Sequence, residues 1–346
     1  MSKSKYDNIF KKFKDIDKGI EDFGKVLGTG GFGEVKEVKY NGKNLAAKLT
    51  EKKGGNFYLE KLKGNNIVKI YKILEEKIDK KDYILVIMER AAIKDLKTMI
   101  NALHDNNFFK LINKPFFELI GNNFVRYFTK QIIKGLELLD RNDLVHFDIK
   151  PENILIQSGL KLKITDFSFL MNLQEYKMKS KNIVIPGGTP GYITPEFFKK
   201  AEIDEDTAKK QDYFALGATL FLLKIGFQML EYKKSSDAQL TEDLIIDLLQ
   251  RDICLIRSYS LFDKEFVDFL CSLIHYVPEE RPNFEEIFRN KWLNKHLDDI
   301  SLLKIQFLDG EEDKFMKELV KSDFYLEKQN EIKKGPEKRS NFIFEE

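Results

Sequence analysis

Cysteine is nearly absent from this chain. Cys254 and Cys271 are the only two in 346 residues. That is too few for a disulfide framework, and it points to a reducing compartment, the cytoplasm, with access to the nucleus left open. An excess of one charge is lacking too: 58 Lys and Arg face 56 Asp and Glu, for a formal balance of +2. No basic surplus argues for a nucleic-acid partner. No run of about 18 apolar residues occurs, so no transmembrane segment is expected. Residues 1–14 are polar and charged, without the apolar core of a secretory leader, and Ser2 stands where myristoylation needs glycine. What is present is globular. Hydrophobic residues make up 42% and aromatic residues 12%, which argues against bulk disorder. The length suits one large domain or two lobes with sizeable cores.

The richest segment is His146-Phe147-Asp148-Ile149-Lys150-Pro151-Glu152-Asn153, with Asp166-Phe167-Ser168 beginning thirteen residues after Asn153. Between them, Ile154, Leu155 and Ile156 form an apolar run and Ser158-Gly159 signals a turn. Leu160, Leu162 and Ile164 then alternate with Lys161, Lys163 and Thr165, as in a half-buried strand. A hairpin therefore returns Asp166 towards Asp148. Phosphoryl transfer from a magnesium nucleotide needs such a set: a carboxylate to orient the attacking hydroxyl, hard oxygen ligands for Mg²⁺ and a Lys beside the transferred group. A lone Asp-x-Lys-x-x-Asn would be only a charged surface loop; the hairpin and the second Asp separate the two readings.

A second signal is Gly28-Thr29-Gly30-Gly31-Phe32-Gly33-Glu34-Val35. Dinucleotide-binding folds use a similar spacing, but there the glycines open a helix. Here alternation continues through Tyr40 to Asn41-Gly42, the preferred two-residue hairpin turn, and Leu45-Ala46-Ala47-Lys48-Leu49 reads as the next strand. A strand–loop–strand of this kind lets backbone N–H groups approach phosphates. The alternative is a glycine-rich hairpin with no ligand.

These segments resemble eukaryotic-type serine/threonine protein kinases over about residues 20–293. The first resembles the family's catalytic loop, His-Arg-Asp-x-Lys-x-x-Asn, and the second its Asp-Phe-Gly. Phe147 and Ser168 are the departures. The resemblance implies an α+β, two-lobed protein kinase fold, with a small antiparallel β-sheet lobe (20–90) and a larger, mainly helical lobe (91–293). Residues 1–19 form an N-terminal extension and residues 294–346 a C-terminal tail. It also implies ATP and Mg as cofactors, protein substrates and a Ser/Thr acceptor. Asp148 would orient the hydroxyl, Lys150 would steady the γ-phosphate, and Thr189 would bond near both. Asn153 and Asp166 would hold the metal. Leu27, Gly28, Thr29, Gly30, Gly31, Phe32 and Gly33, with Val35, Ala46 and Lys48, would hold the nucleotide. Glu89 and Ala91 would offer hinge backbone to the base behind Met88, and Asp95 would reach the ribose. Asp212 would hold the catalytic-loop backbone, and Glu196 and Arg281 would form a buried bidentate bridge.

Other departures bear on regulation. The glutamate that the family pairs with the strand Lys aligns with Gly55, leaving Glu51 and Glu60 as candidates. Phe147 replaces an Arg that grips a loop phosphate, and the matching phosphosite is Ile185, which cannot be phosphorylated. The two losses agree. Tyr6, Ile9, Phe10 and Phe13 make an amphipathic segment that could bind a membrane or pack on the small lobe. The mixed signs of its polar face favour packing. The rival to an active enzyme is a nucleotide-binding pseudokinase serving as a scaffold. The oligomeric state is not legible.

Overall fold

The computed structural model describes residues 6–30, 33–51, 62–91, 94–103, 122–175, 183–198, 202–226, 228–230, 242–258 and 263–295. Gly31, Phe32, Gly55, Glu60, Ser180 and the tail beyond Lys295 lie outside them.

The chain opens with helix α1 (Asp7–Ile16), followed by β1 (Ile20–Gly30), β2 (Gly33–Tyr40), β3 (Lys43–Glu51), β4 (Ile70–Ile78) and β5 (Lys81–Met88). The five strands form one antiparallel sheet in the order β1-β2-β3-β5-β4. Asn41 and Gly42 both take positive φ, 46° and 75°, as a two-residue turn between twisted strands requires. Gly33 is fixed by sterics: a Cβ there would collide with the Leu49 carbonyl oxygen across the ladder.

Strand alternation divides the sheet's residues between two clusters. Val38, Leu45, Ala47, Leu49, Leu85 and Ile87 pack with Phe10 and Phe13 of α1. Leu27, Val35, Ala46 and Met88 join the large core of the helical lobe. Phe10 and Phe13 are buried in the sheet's core, with Tyr6 and Ile9 against it. The amphipathic segment thus packs on the small lobe, whose core begins within the residues that sequence assigns to an extension. Polar contacts pin it as well. Lys36 pairs with Asp7 and with Glu34 (3.4 Å) and lies 4.6 Å from the Phe10 ring.

The helical lobe contains α2 (Leu96–Leu103) and α3 (Asn122–Asp140), then the short strand β6 (Leu144–Val145). The hairpin β7 (Ile154–Gln157) and β8 (Lys161–Ile164) comes next, and β9 (Met171–Asn172) pairs with β6. After α4 (Pro195–Phe198) comes α5 (Glu205–Ile225), buried along most of its length. Asp204 caps α5 through the Thr207 N–H, and Gly226 (φ 92°) ends it. The helices α6 (Glu242–Ser258), α7 (Lys264–Leu273), α8 (Phe284–Phe288) and α9 (Lys291–Asn294) complete the lobe. Among the described residues no helix is long and apolar enough to cross a membrane.

Candidate active site

The loop after β6 is suspended from α5 by one carboxylate. Asp212 accepts the His146 N–H at 2.7 Å and the Phe147 N–H at 2.9 Å. Phe147 sits at φ 61°, a left-handed conformation that a bulky residue adopts only when its surroundings hold it there. Burial pushes Asp212 up to about 7, against the two backbone bonds that pull it down. His146 is fully buried, with Nδ1 accepting the Asp148 N–H (3.2 Å) and Nε2 facing the Thr165 carbonyl (2.9 Å). Those partners define a neutral ring protonated on Nε2, and burial lowers its pKa further.

Asp148 collects three side chains. Thr189 Oγ1 donates to Oδ1 at 2.6 Å, while Lys150 Nζ (2.8 Å) and Asn153 Nδ2 (2.9 Å) donate to Oδ2. Lys150 also donates to Thr189 Oγ1 at 2.6 Å. Asn153 Nδ2 reaches the Asp148 carbonyl as well (2.7 Å). The amide NH₂ is committed to Asp148, so the amide oxygen points away from it. The Thr165 N–H donates to the Asn153 carbonyl (2.9 Å), which ties Asn153 to the start of Asp166-Phe167-Ser168.

Asp166 (φ 61°) pairs with Lys48 across the two lobes. Its Oδ1 also accepts the Ser168 hydroxyl (2.6 Å) and N–H (3.3 Å), and Lys48 Nζ donates to Ser168 Oγ (3.0 Å). Burial pushes the Asp166 carboxyl up, but Lys48, Ser168 and His146 outweigh it and hold the pKa at about 2. The group is ionised at neutral pH. Glu51, one candidate partner for Lys48, bonds Lys81 instead (3.0 Å). It lies three residues along the strand from Lys48 and so points to the other face of β3.

Above the cleft, Gly28 has open space where a Cβ would stand, so its backbone can be approached closely. Val35 pairs with Lys48, and Ala46 pairs with both Glu37 and Met88. At the hinge the Glu89 N–H is spent on the Lys69 carbonyl (2.8 Å). Its side chain accepts the Lys69 N–H (2.7 Å) and meets Lys163 (2.6 Å). Any bond from Glu89 to a base must therefore come from its carbonyl. Ala91 lies in the same linker, half-buried.

One expectation needs correction, and one residue carries a further role. Asp95, expected at a ribose, also turns one carboxylate oxygen to the start of α2. Oδ1 accepts the Thr98 N–H (2.8 Å) and hydroxyl (2.9 Å), and burial raises its pKa. The helix's open first turn needs an acceptor there, and Asp-x-x-Thr before an apolar helix was the overlooked cap signal. The Glu196–Arg281 bridge is buried but single, at 2.6 Å. Glu196 Oε2 and Arg281 NH1 have no hydrogen-bond partner among the described residues. Arg281 turns its Nε to the His275 carbonyl (2.6 Å) instead, which prevents a two-pronged fit.

Sequence reasoning also missed what fills the lost phosphate clamp. Phe147 packs with Val145, Leu173, Ile183, Ile185, Ile203 and Ala208. Ile183 and Ile203 exchange backbone bonds (3.3 and 2.9 Å). The apolar run Ile183-Val184-Ile185 was the available signal.

The family model for the protein kinase domain matches residues 22–293. Rhodopsin kinase GRK1 of Rattus norvegicus is 30% identical over 267 residues, 76% of this chain and 44% of that protein. Serine/threonine-protein kinase PLK2 of Rattus norvegicus is 23% identical over 281 residues, 77% of this chain and 36% of its own length. Serine/threonine-protein kinase atg1 of Dictyostelium discoideum is 27% identical over 244 residues, 70% and 32%. The chain spans less than half the length of these relatives.

Proposed function

The chain belongs to the protein kinase family, and on that premise we propose that it transfers phosphoryl groups from ATP, with Mg²⁺, to Ser or Thr hydroxyls of protein substrates. The observation that carries the reading is the node on Asp148, where Thr189, Lys150 and Asn153 converge on one carboxylate. Asp148 accepts the proton of the incoming hydroxyl as its oxygen bonds the γ-phosphorus and the bond from that phosphorus to the bridging oxygen breaks, releasing ADP. Lys150, beside it, neutralises charge on the transferred group. Lys48 reaches the upper phosphates under the backbone of Gly28.

The donor set fits a hard cation. Asn153 offers an amide oxygen and Asp166 an ionised carboxylate, and the nucleotide's own oxygens and water complete such shells. When bound, Mg²⁺ supplies charge neutralisation on the phosphates. Thr189 and the Lys150-Pro151-Glu152 sequence favour Ser/Thr acceptors. Glu152 is exposed, open to a basic residue of a substrate. The scarcity of cysteine, with Cys254 and Cys271 both free, supports a cytoplasmic setting.

The test is Mg-ATP phosphotransfer by the full chain on a mixed Ser, Thr and Tyr peptide library, beside Asp148→Asn. Turnover should appear on Ser and Thr peptides and fall about 10²–10⁴-fold in the variant, while nucleotide binding persists. Nucleotide binding with no turnover in the parent chain would replace this reading with the scaffold one.

A further inference from the structure

We propose that the Ser168 hydroxyl is a positioning group that holds Lys48 and Asp166 in the arrangement the nucleotide uses; the proposal rests on the phosphotransfer reading above. A hydroxyl has one proton to give and lone pairs to receive. Ser168 uses both senses at once, donating to Asp166 Oδ1 at 2.6 Å and accepting from Lys48 Nζ at 3.0 Å. Lys48 also reaches that same Asp166 oxygen. The three side chains close a triangle between β3 and the segment after β8.

The triangle answers two mechanical problems. Lys48 ends a flexible four-carbon stem, and a single partly solvated ion pair fixes such a stem poorly. A second acceptor removes its freedom to swing. Asp166 sits in a left-handed conformation at φ 61°. The Ser168 N–H bond to its side chain (3.3 Å) forms a local Asp turn of the kind that supports such a backbone. Ser168 itself is not among the positive-φ residues, so the backbone there does not require glycine and a side chain can be used.

Among the described residues Lys48 has no carboxylate partner besides Asp166, and Glu60, the other candidate, lies outside them. The position that the family resemblance assigns to the partner glutamate is Gly55, which has no side chain. Glu51 faces away and bonds Lys81. Ser168 approaches Lys48 from the large lobe and supplies an orienting oxygen.

Ser168→Ala, Ser168→Gly and Ser168→Thr separate hydroxyl from backbone. Each is made in the full chain, with kcat, KM for ATP, the Mg²⁺ requirement, calorimetric Mg-ATP affinity and Tm measured. Ala and Gly should each lower kcat/KM about 10–100-fold, the scale of a hydrogen bond to a charged group. The loss should fall on ATP and Mg²⁺ parameters with peptide KM and Tm held. Thr should restore activity to within about threefold, since it keeps the hydroxyl. A Gly or Ala variant as active as the parent overturns the proposal. A loss shared equally by Thr, with lowered Tm, also overturns it, because the residue is then merely structural. If the parent has no turnover, the phosphotransfer reading fails, and Mg-ATP affinity decides the Ser168 proposal alone: equal affinity in parent, Ala and Gly would sink it.

Discussion

Two ion pairs join distant parts of this chain and behave as opposites. Glu196–Arg281 is sealed, with side-chain exposures of 8% and 0%, and the Arg281 guanidinium lies 5.1 Å from the Phe214 ring. Lys48–Asp166 keeps 14% and 27% of its side-chain surface in solvent. The sealed pair has no route to another partner, and removing one member strands a buried charge. The cleft pair can be traded: a phosphate can take Lys48 and a cation can take Asp166, because both ligands reach them from solvent. Burial thus suits one bridge to stability, and exposure leaves the other open to the exchange that the proposed reaction requires.

The sharpest way to break that contrast is to delete one member of each pair. Lys48→Met should reduce turnover about 10²-fold or more through lost nucleotide positioning, with Tm nearly unchanged. Arg281→Met should do the reverse. It should cost about 3–5 kcal/mol, a Tm drop of roughly 10 °C in a domain of this size, with Mg-ATP affinity of the folded fraction preserved. Turnover and thermal unfolding on both variants decide it. A Tm loss in Lys48→Met matching that of Arg281→Met would erase the distinction.

A third junction tests whether apolar packing replaces charge. The cluster of Phe147, Ile183, Ile185 and Ile203 lies where the family pattern would put a phosphate and its Arg. Phe147 is buried, so Phe147→Ala should cost about 3 kcal/mol and loosen the segment that carries Thr189. Peptide turnover should fall before nucleotide affinity does. The parent chain, treated with phosphatase to completion by mass spectrometry, should keep its activity, since Phe147 stands where the family pattern has the phosphate-gripping Arg. Collapse on dephosphorylation, with recovery when Ser180 or another hydroxyl between Asp166 and Glu196 is rephosphorylated, would show that the cluster does not replace the clamp.

How much of this was legible in the sequence follows from the range of the interactions. The β7–β8 hairpin, the Asn41-Gly42 turn and the spacing from Asp148 to Asp166 are local, and periodicity and turn chemistry expose them. Asp212 was legible only through resemblance, because its bonds to His146 and Phe147 cross more than sixty residues. The Ser168 hydroxyl was missed because the substitution reads as a lost glycine, whereas its value lies in its contacts with Asp166 and with Lys48 of the other lobe. The single-pronged Arg281 was missed because motif matching gives the pair and not its geometry. The capping role of Asp95 was missed because resemblance took precedence over the local Asp-x-x-Thr signal.

The smallest expected effect concerns protons around the suspended loop. Burial depresses the His146 pKa below its ordinary 6.5, so the folded state holds fewer protons than the unfolded one just below pH 6.5. That contribution to stability is lost as pH falls. Asp212 has the opposite sign. Raised from 3.8 to about 7, it binds protons in the folded state between those values, so its contribution improves as pH falls. Asp166, held at about 2 from 3.8, weakens the fold only below about pH 4. Between pH 6.5 and 4 the His146 and Asp212 contributions therefore oppose each other, and the parent chain should show a shallow stability profile. His146→Gln keeps the backbone N–H that bonds Asp212 and removes the titrating ring. Its stability should rise as pH drops from 7 to 5, by no more than the one-proton limit of about 1.4 kcal/mol per pH unit. Urea unfolding at pH 7, 6 and 5 measures the slope, and a variant that loses stability in parallel with the parent would show that these two groups do not govern the window.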